Sequence, residues 1–353
     1  MIWVTWRRYR TTLVVATTVI ALLAVATFAC GSIVRNAEGA RAFGTFFGCY
    51  GTSVTVCRAE SALSATAVLA AVLPVLLGVI VGVTAFSRDI EQGTHVLGLT
   101  QSVSRSRWFW MRVLVVFVPI SVAMAVLGAV LEWTRSAAPR GNFGYVSGSP
   151  FDYSRLEFPL FPASGATAGT YTLFALILGS AFALVIRHTV GAMVLTLIVA
   201  TAGMVGLQVG ARPHYAPASI EARPLDGSAQ YVAYASSGAS FPGWTIGSGY
   251  VNTAGDPVAV DYASCEQAYA VDYVEGRPDE TVAEYEARSD ELFEEQQRAF
   301  TDCLRGQGAD HLEVRYHADS QFRRFQLTEA ALVLLVTGLV LLPSLWGLRR
   351  LRP

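Results

Sequence analysis

Six long apolar runs divide the chain, and polar, Arg-edged stretches separate them. The runs extend roughly over residues 12–33, 62–86, 109–131, 165–186, 190–210 and 327–348. A helix needs about 20 mostly apolar residues to cross the hydrocarbon core of a bilayer. The pattern therefore predicts six transmembrane helices, spans 1 to 6. Glu329 lies near the start of span 6 and Pro343 near its end, positions where both are tolerated. The polar remainder comprises tails 1–11 and 349–353, a loop 87–108 between spans 2 and 3, and loops 34–61 and 132–164. The largest polar segment, 211–326, is long enough to be a domain of its own.

Within the runs, Gly78 and Gly82 form a G-x-x-x-G pair, as do Gly206 and Gly210. That spacing lets helix backbones approach closely. Pro74 and Pro119 can bend spans 2 and 3. Segment 211–326 changes character half-way along. "WTIGSGYVNTAGDPVAV" predicts short strands about a turn at Ala254 and Gly255. "PDETVAEYEARSDELFEEQQRAFTDCLRGQG" predicts one helix. Its apolar stripe is Val282, Tyr285, Leu292, Phe293, Phe300 and Leu304, with Pro278 and Asp279 at its start and Gly306 and Gly308 at its end. The fold class expected is mainly α: a polytopic membrane protein of six helices with a mixed α/β domain between helices 5 and 6.

Composition agrees. The chain is 53% hydrophobic and 15% charged, against roughly 25% charged in a typical soluble domain. Every basic residue is Arg and none is Lys. A P-loop of the form G-x-x-x-x-G-K-[ST] needs its lysine, so this chain cannot hydrolyse nucleotides by that route. Arg residues also suggest orientation. Arg7, Arg8 and Arg10 precede span 1, Arg88, Arg105, Arg107 and Arg112 lie between spans 2 and 3, Arg187 separates spans 4 and 5, and Arg349, Arg350 and Arg352 end the chain. Arg in short loops favours the cytoplasm, so both termini are expected inside. The bias is partial, since Arg35, Arg41, Arg58, Arg135, Arg140 and Arg155 fall on the opposite side. Span 1 followed by "TFACGS" invites a cleaved-signal reading. Thr27 and Phe28 suit a lipidated Cys poorly, and five further spans follow.

Cys49 and Cys57 share one outer loop, and Cys265 and Cys303 share segment 211–326. Disulfides form outside the cytoplasm. Four cysteines allow three pairings, and the two local ones are expected. Cys30 is left over. His214, His311 and His317 are scattered, so no metal site is expected. No catalytic motif is visible, and the mid-span regions hold almost no ionisable residues of the kind ion-coupled transporters need.

The most distinctive stretch is "RDIEQGTHVLGLTQSVSRSRWFWMR". It is too short for a catalytic domain and too poor in charge and stacking aromatics for nucleic acid. It resembles the loop after span 2 in ABC-2 type transporter permeases. Asp89, Glu91, Gln92, Gly93 and Thr94 match its first part, Thr100–Arg105, Arg107 and Trp108 match its "TQSVSR-x-RW" block, and Arg112 opens the next span. "WVTWRRYR", "GWTIGSGYVNTAGDPV" and "YHADSQFRRFQLTEA" are similar to an actinobacterial branch of the family. The last carries Phe322, Phe325, Gln326 and Glu329, with Arg323 where that branch often has Trp. The resemblance implies a half-transporter of the bacterial plasma membrane that exports a cargo. It also implies pairing with a second permease copy or paralogue and contact with membrane lipid. A separate cytoplasmic ABC ATPase would hold ATP and Mg, leaving no cofactor in this chain. Loop 87–108 and the N-terminal segment would couple to that ATPase, through Asp89, Glu91, Gln92, Gly93, Thr94, Arg105 and Trp108. The alternative is a membrane receptor or scaffold whose outer domain binds a ligand without transport.

Overall fold

The computed structural model describes residues 2–37, 42–45, 48–51, 53–92, 104–136, 146, 154–186, 188–225, 243–269, 277 and 281–349. Gly93, Thr94, residues 100–103, Pro278 and Asp279 lie outside the described residues. The chain forms two compact units. The first comprises Met1–Tyr215 with Asp319–Pro353, the second Ala216–Ala318.

The first unit holds six helices long and apolar enough to cross a membrane: Thr5–Arg35, Val54–Glu91, Arg105–Arg135, Gly165–Ile186, Thr189–His214 and Asp319–Gly347. Each matches one of the six apolar runs: spans 1, 2, 3 and 5 extend beyond theirs at both ends, span 4 coincides with its run, and span 6 begins before its run and ends one residue short of it. Span 4 is the centre, with most of its residues buried, while spans 1, 5 and 6 leave much of their surface exposed. Glycine permits the close packing at the centre. A Cβ on Gly78 would come within 2.6 Å of the Ala175 carbonyl, and one on Gly82 within 2.7 Å of the Leu176 carbonyl. Span 2 widens to a π turn over this contact, Gly78–Gly82, and span 3 does so at Val113–Phe117. The second turn has a visible cause: the ring of Pro119 cannot pack against the carbonyl four residues earlier, at Val115. The first G-x-x-x-G pair thus joins spans 2 and 4 of one chain. At Gly206 and Gly210 a Cβ would meet nothing within 4 Å.

The strands β1 (Ala42–Thr45) and β2 (Gly48–Gly51) form a small antiparallel hairpin between spans 1 and 2. The Cys49–Cys57 disulfide ties it to the start of span 2. In the second unit, β3 (Ser219–Pro224), β4 (Gly243–Val251), β5 (Pro257–Val258) and β6 (His311–Ala318) make one antiparallel sheet in the order β3-β6-β4-β5. The expected turn between β4 and β5 is present, with Gly255 at φ +84°. The helix Val282–Gly306 begins with a capping box that sequence inspection missed: Thr281 accepts from the Glu284 amide while Glu284 accepts from that of Thr281. Of its apolar stripe, Phe300 and Leu304 are buried with Leu312 and Val314 of β6, whereas Val282 and Phe293 remain exposed. The helix therefore holds to the sheet by its last two turns. The Cys265–Cys303 disulfide fastens it there to the short helix Tyr262–Tyr269. Both cysteine pairings are the local ones.

Candidate functional site

Two buried charge clusters mark opposite ends of the helix bundle. The first lies where spans 1 and 3 begin and span 2 ends. Asp89 is 2% exposed, yet it is a carboxylate in the last turns of a membrane helix. Such a group is tolerable only when paired and hydrogen-bonded. Its two oxygens accept from Arg8, on span 1, and from Arg112, on span 3. Arg112 is itself buried and donates to the Ala85 carbonyl, which also accepts from the Tyr9 hydroxyl at 2.9 Å. The Arg112 guanidinium lies 4.0 Å from the Trp108 ring and 4.9 Å from that of Phe86, so aromatic faces surround the charge. Trp108 is half-buried and meets Phe86 edge-on at 5.2 Å. One carboxylate thus locks three helix ends together.

Glu91 extends the cluster to a fourth span. Its exposed carboxylate accepts from the Thr189 amide at 2.8 Å, at the first turn of span 5. Free amides and the helix dipole make that end attractive to an anion. His188 caps the same turn, its Nδ1 accepting from the Gly191 amide at 3.2 Å. Gln92 is exposed and ends the helix of span 2. Arg105 is half-buried in the first turn of span 3, where the Ser104 hydroxyl accepts from the Arg107 amide at 3.3 Å. Asp89, Glu91, Gln92, Arg105 and Trp108 thus sit on either side of the short stretch that contains Gly93 and Thr94.

The second cluster closes the other end. Glu329 on span 6 is fully buried and faces Arg212 at the end of span 5. The guanidinium donates from Nε to Oε2 at 2.9 Å and from Nη2 to Oε1 at 2.7 Å, a two-pronged pairing that fixes orientation as well as charge. Tyr171 on span 4 donates to the same carboxylate. Arg212 Nη1 donates to the Leu156 carbonyl at 3.1 Å, and the guanidinium lies 4.0 Å from the Phe161 ring. The other residues at the start of span 6 surround this pair. Phe322 packs edge-on against Phe161 at 5.7 Å, Phe325 packs near Tyr215 at 5.6 Å, and Gln326 donates to the Ser164 carbonyl at 3.3 Å. Arg323 forms an ion pair with Glu132 at 2.9 Å. Gly165 has φ +44°, and a Cβ there would meet Gln326 Nε2 at 2.6 Å. Phe322, Phe325, Gln326 and Glu329 are therefore one continuous packing surface.

The profile of the family described as ABC-2 membrane transporter related matches residues 11–212. The chain belongs to this family. The match covers more than half of the chain, from within span 1 to within span 5, and ends at Arg212. This ABC-2 family chain is a multi-pass membrane protein and a membrane transport component. No curated protein and no solved structure matches it. The first cluster falls inside the matched residues except for Arg8 and Tyr9, whereas Glu329 falls outside them. The resemblance assigned Asp89 and Glu91 to coupling with a partner ATPase. In the structure both are engaged within the chain. Sequence reasoning did not single out Arg212 or Tyr171. The available signal was a lone Arg at the close of span 5 and a lone Glu in the first turns of span 6, at the same end of the bundle.

Proposed function

We propose that this chain is the permease subunit of an ATP-driven ABC exporter. In this reading it forms the translocation pathway, pairs with a second copy or a paralogue, and couples to a separate ATPase. The observation that carries the coupling is the Asp89–Arg8–Arg112 cluster with its Glu91 extension. It joins the ends of four spans beside the loop between spans 2 and 3. A force applied to that loop by an ATPase reaches spans 2 and 3 together, because the buried Asp89–Arg112 pair cannot separate without losing about 3–5 kcal/mol, and it reaches span 1 through Arg8, whose side chain is half exposed. It reaches span 5 through one exposed hydrogen bond, which can break and reform far more cheaply. The buried cluster is the rigid part of the joint, and Glu91 is its releasable part. Asp89 acts by positioning span ends; in this reading Gln92, Gly93, Thr94, Arg105 and Trp108 contact the ATPase. ATP and Mg belong to the partner, since this chain has no Lys to build a P-loop.

Two features support an orientation with both termini in the cytoplasm. The Cys49–Cys57 and Cys265–Cys303 bonds lie in segments separated by four spans, hence on one side of the membrane. Disulfides persist on the oxidising side, and the Arg-rich loops lie opposite. The coupling reading is tested with Glu91→Lys, which removes the anion at span 5 and places a cation against a positive helix end. In proteoliposomes with the partner ATPase, the variant should insert normally and hydrolyse ATP without export. Export at the unaltered rate would remove Glu91 from the coupling path.

A further inference from the structure

A cavity of about 270 Å³ is lined by spans 2 and 5, with Tyr171 of span 4 and with Phe158 and Pro162. Along span 5 its lining extends from Leu197 to Arg212, sixteen residues, or about 20 Å at helical rise. That is longer than half of the ~30 Å hydrocarbon core. The cavity is a slot, long and narrow. Val75, Leu76, Leu197, Met204 and Val205 form its walls. Apart from Thr201, its polar groups collect at one end, where Gln208, Arg212 and Tyr171 meet.

The chemistry of the two ends restricts the occupant. An apolar slot does not hold water. Val72, Leu76, Leu197 and Val205, beside the mouth, are exposed on helices long and apolar enough to span a membrane. The medium at the mouth is therefore hydrocarbon. At the polar end, Arg212 offers no unbalanced charge, because Glu329 already neutralises it through two hydrogen bonds. The site suits a hydrocarbon chain whose first polar atoms are uncharged acceptors, such as an ester carbonyl. It has no feature that selects an anion.

We propose that this cavity is a binding slot for one acyl chain of a membrane phospholipid, inserted tail-first with its ester end at Gln208 and Arg212. The proposal does not depend on the transport reading, because it concerns the bilayer's own lipid.

The test uses the full chain in lipid nanodiscs containing a phospholipid with a photoreactive diazirine on one acyl chain. Adducts are mapped by mass spectrometry. Labelling at Val75, Leu197 and Met204 should exceed that at Leu335 and Leu339, which are open positions of span 6, by roughly tenfold, equivalent to a preference of about 1.4 kcal/mol. Ala71→Phe fills the slot, and Leu197→Trp blocks its mouth without touching the buried packing. Each should abolish the excess and leave span 6 labelling unchanged. Exchanging an anionic for a zwitterionic headgroup should leave the ratio unchanged. Equal labelling of slot and span 6 would overturn the proposal, as would an excess that survives both substitutions or that appears only with anionic lipid. A benzophenone amino acid at position 197 that cross-links to a second copy of the chain rather than to lipid would also overturn it.

Discussion

At Glu329 the chain buries a carboxylate completely and answers it with Arg212 and Tyr171. Removing one member of such a pair strands the other, at about 3–5 kcal/mol, whereas replacing both with apolar groups is far milder. Glu329→Gln and Arg212→Gln should each sharply lower the midpoint of thermal unfolding in detergent. Arg212→Met combined with Glu329→Leu should recover most of that loss. A double variant as unstable as the sum of the singles would show that the two side chains act independently. The half of this pair on span 6 was visible in sequence as part of a family-like motif. The other half was not, because Arg212 lies 117 positions away and only the fold brings it near. Asp89 repeats the lesson. Its residue type and place were legible, but its partners Arg8 and Arg112 come from two other helices. Glu157, in the segment before span 4, carries a different signature. Burial, and then Asp319, push its carboxyl up to about 7, against the pull of Arg135. A carboxyl with a raised folded pKa contributes stability at low pH that is lost as pH rises from its ordinary value, 4.5, through about 7. Thermal stability should therefore fall between about pH 5 and pH 8 in the native chain, and Glu157→Gln should flatten that slope.

Helices were the most legible elements. Apolar runs of membrane-spanning length located all six, and the strand–turn–strand and helix of segment 211–326 also followed from local patterns. Contacts between helices were not legible. The two G-x-x-x-G pairs look alike in sequence, yet Gly78 and Gly82 press on the backbone of span 4 while Gly206 and Gly210 face open space. Spacing records what a helix face permits, and only the neighbouring helix decides whether it is used. The partner of this contact, Gly179, would push a Cβ into the Gly78 carbonyl. Gly179→Leu should separate spans 2 and 4 and destabilise the chain by about 1–3 kcal/mol or more. Gly206→Leu should leave the stability of the chain's own fold unchanged. Comparing the two by thermal unfolding of the purified protein separates packing within the chain from a general intolerance of bulk.

At the scale of the molecule, a six-helix unit carries the whole of the family match, and a disulfide-bonded unit of different composition is inserted before the last span. Charge is concentrated at the two ends of the helical unit, and each end is closed by a buried carboxylate with arginine. The end bearing Asp89 and Glu91 touches four spans at once, which is what a transmission point requires. Affinity purification of the full chain from its native membrane tests that account most directly. The wild-type protein should bring down an ABC ATPase subunit in comparable amount, and Asp89→Asn, with the cluster broken, should insert but lose it. Recovery of the wild-type chain from intact membranes with no ATPase bound would contradict the account.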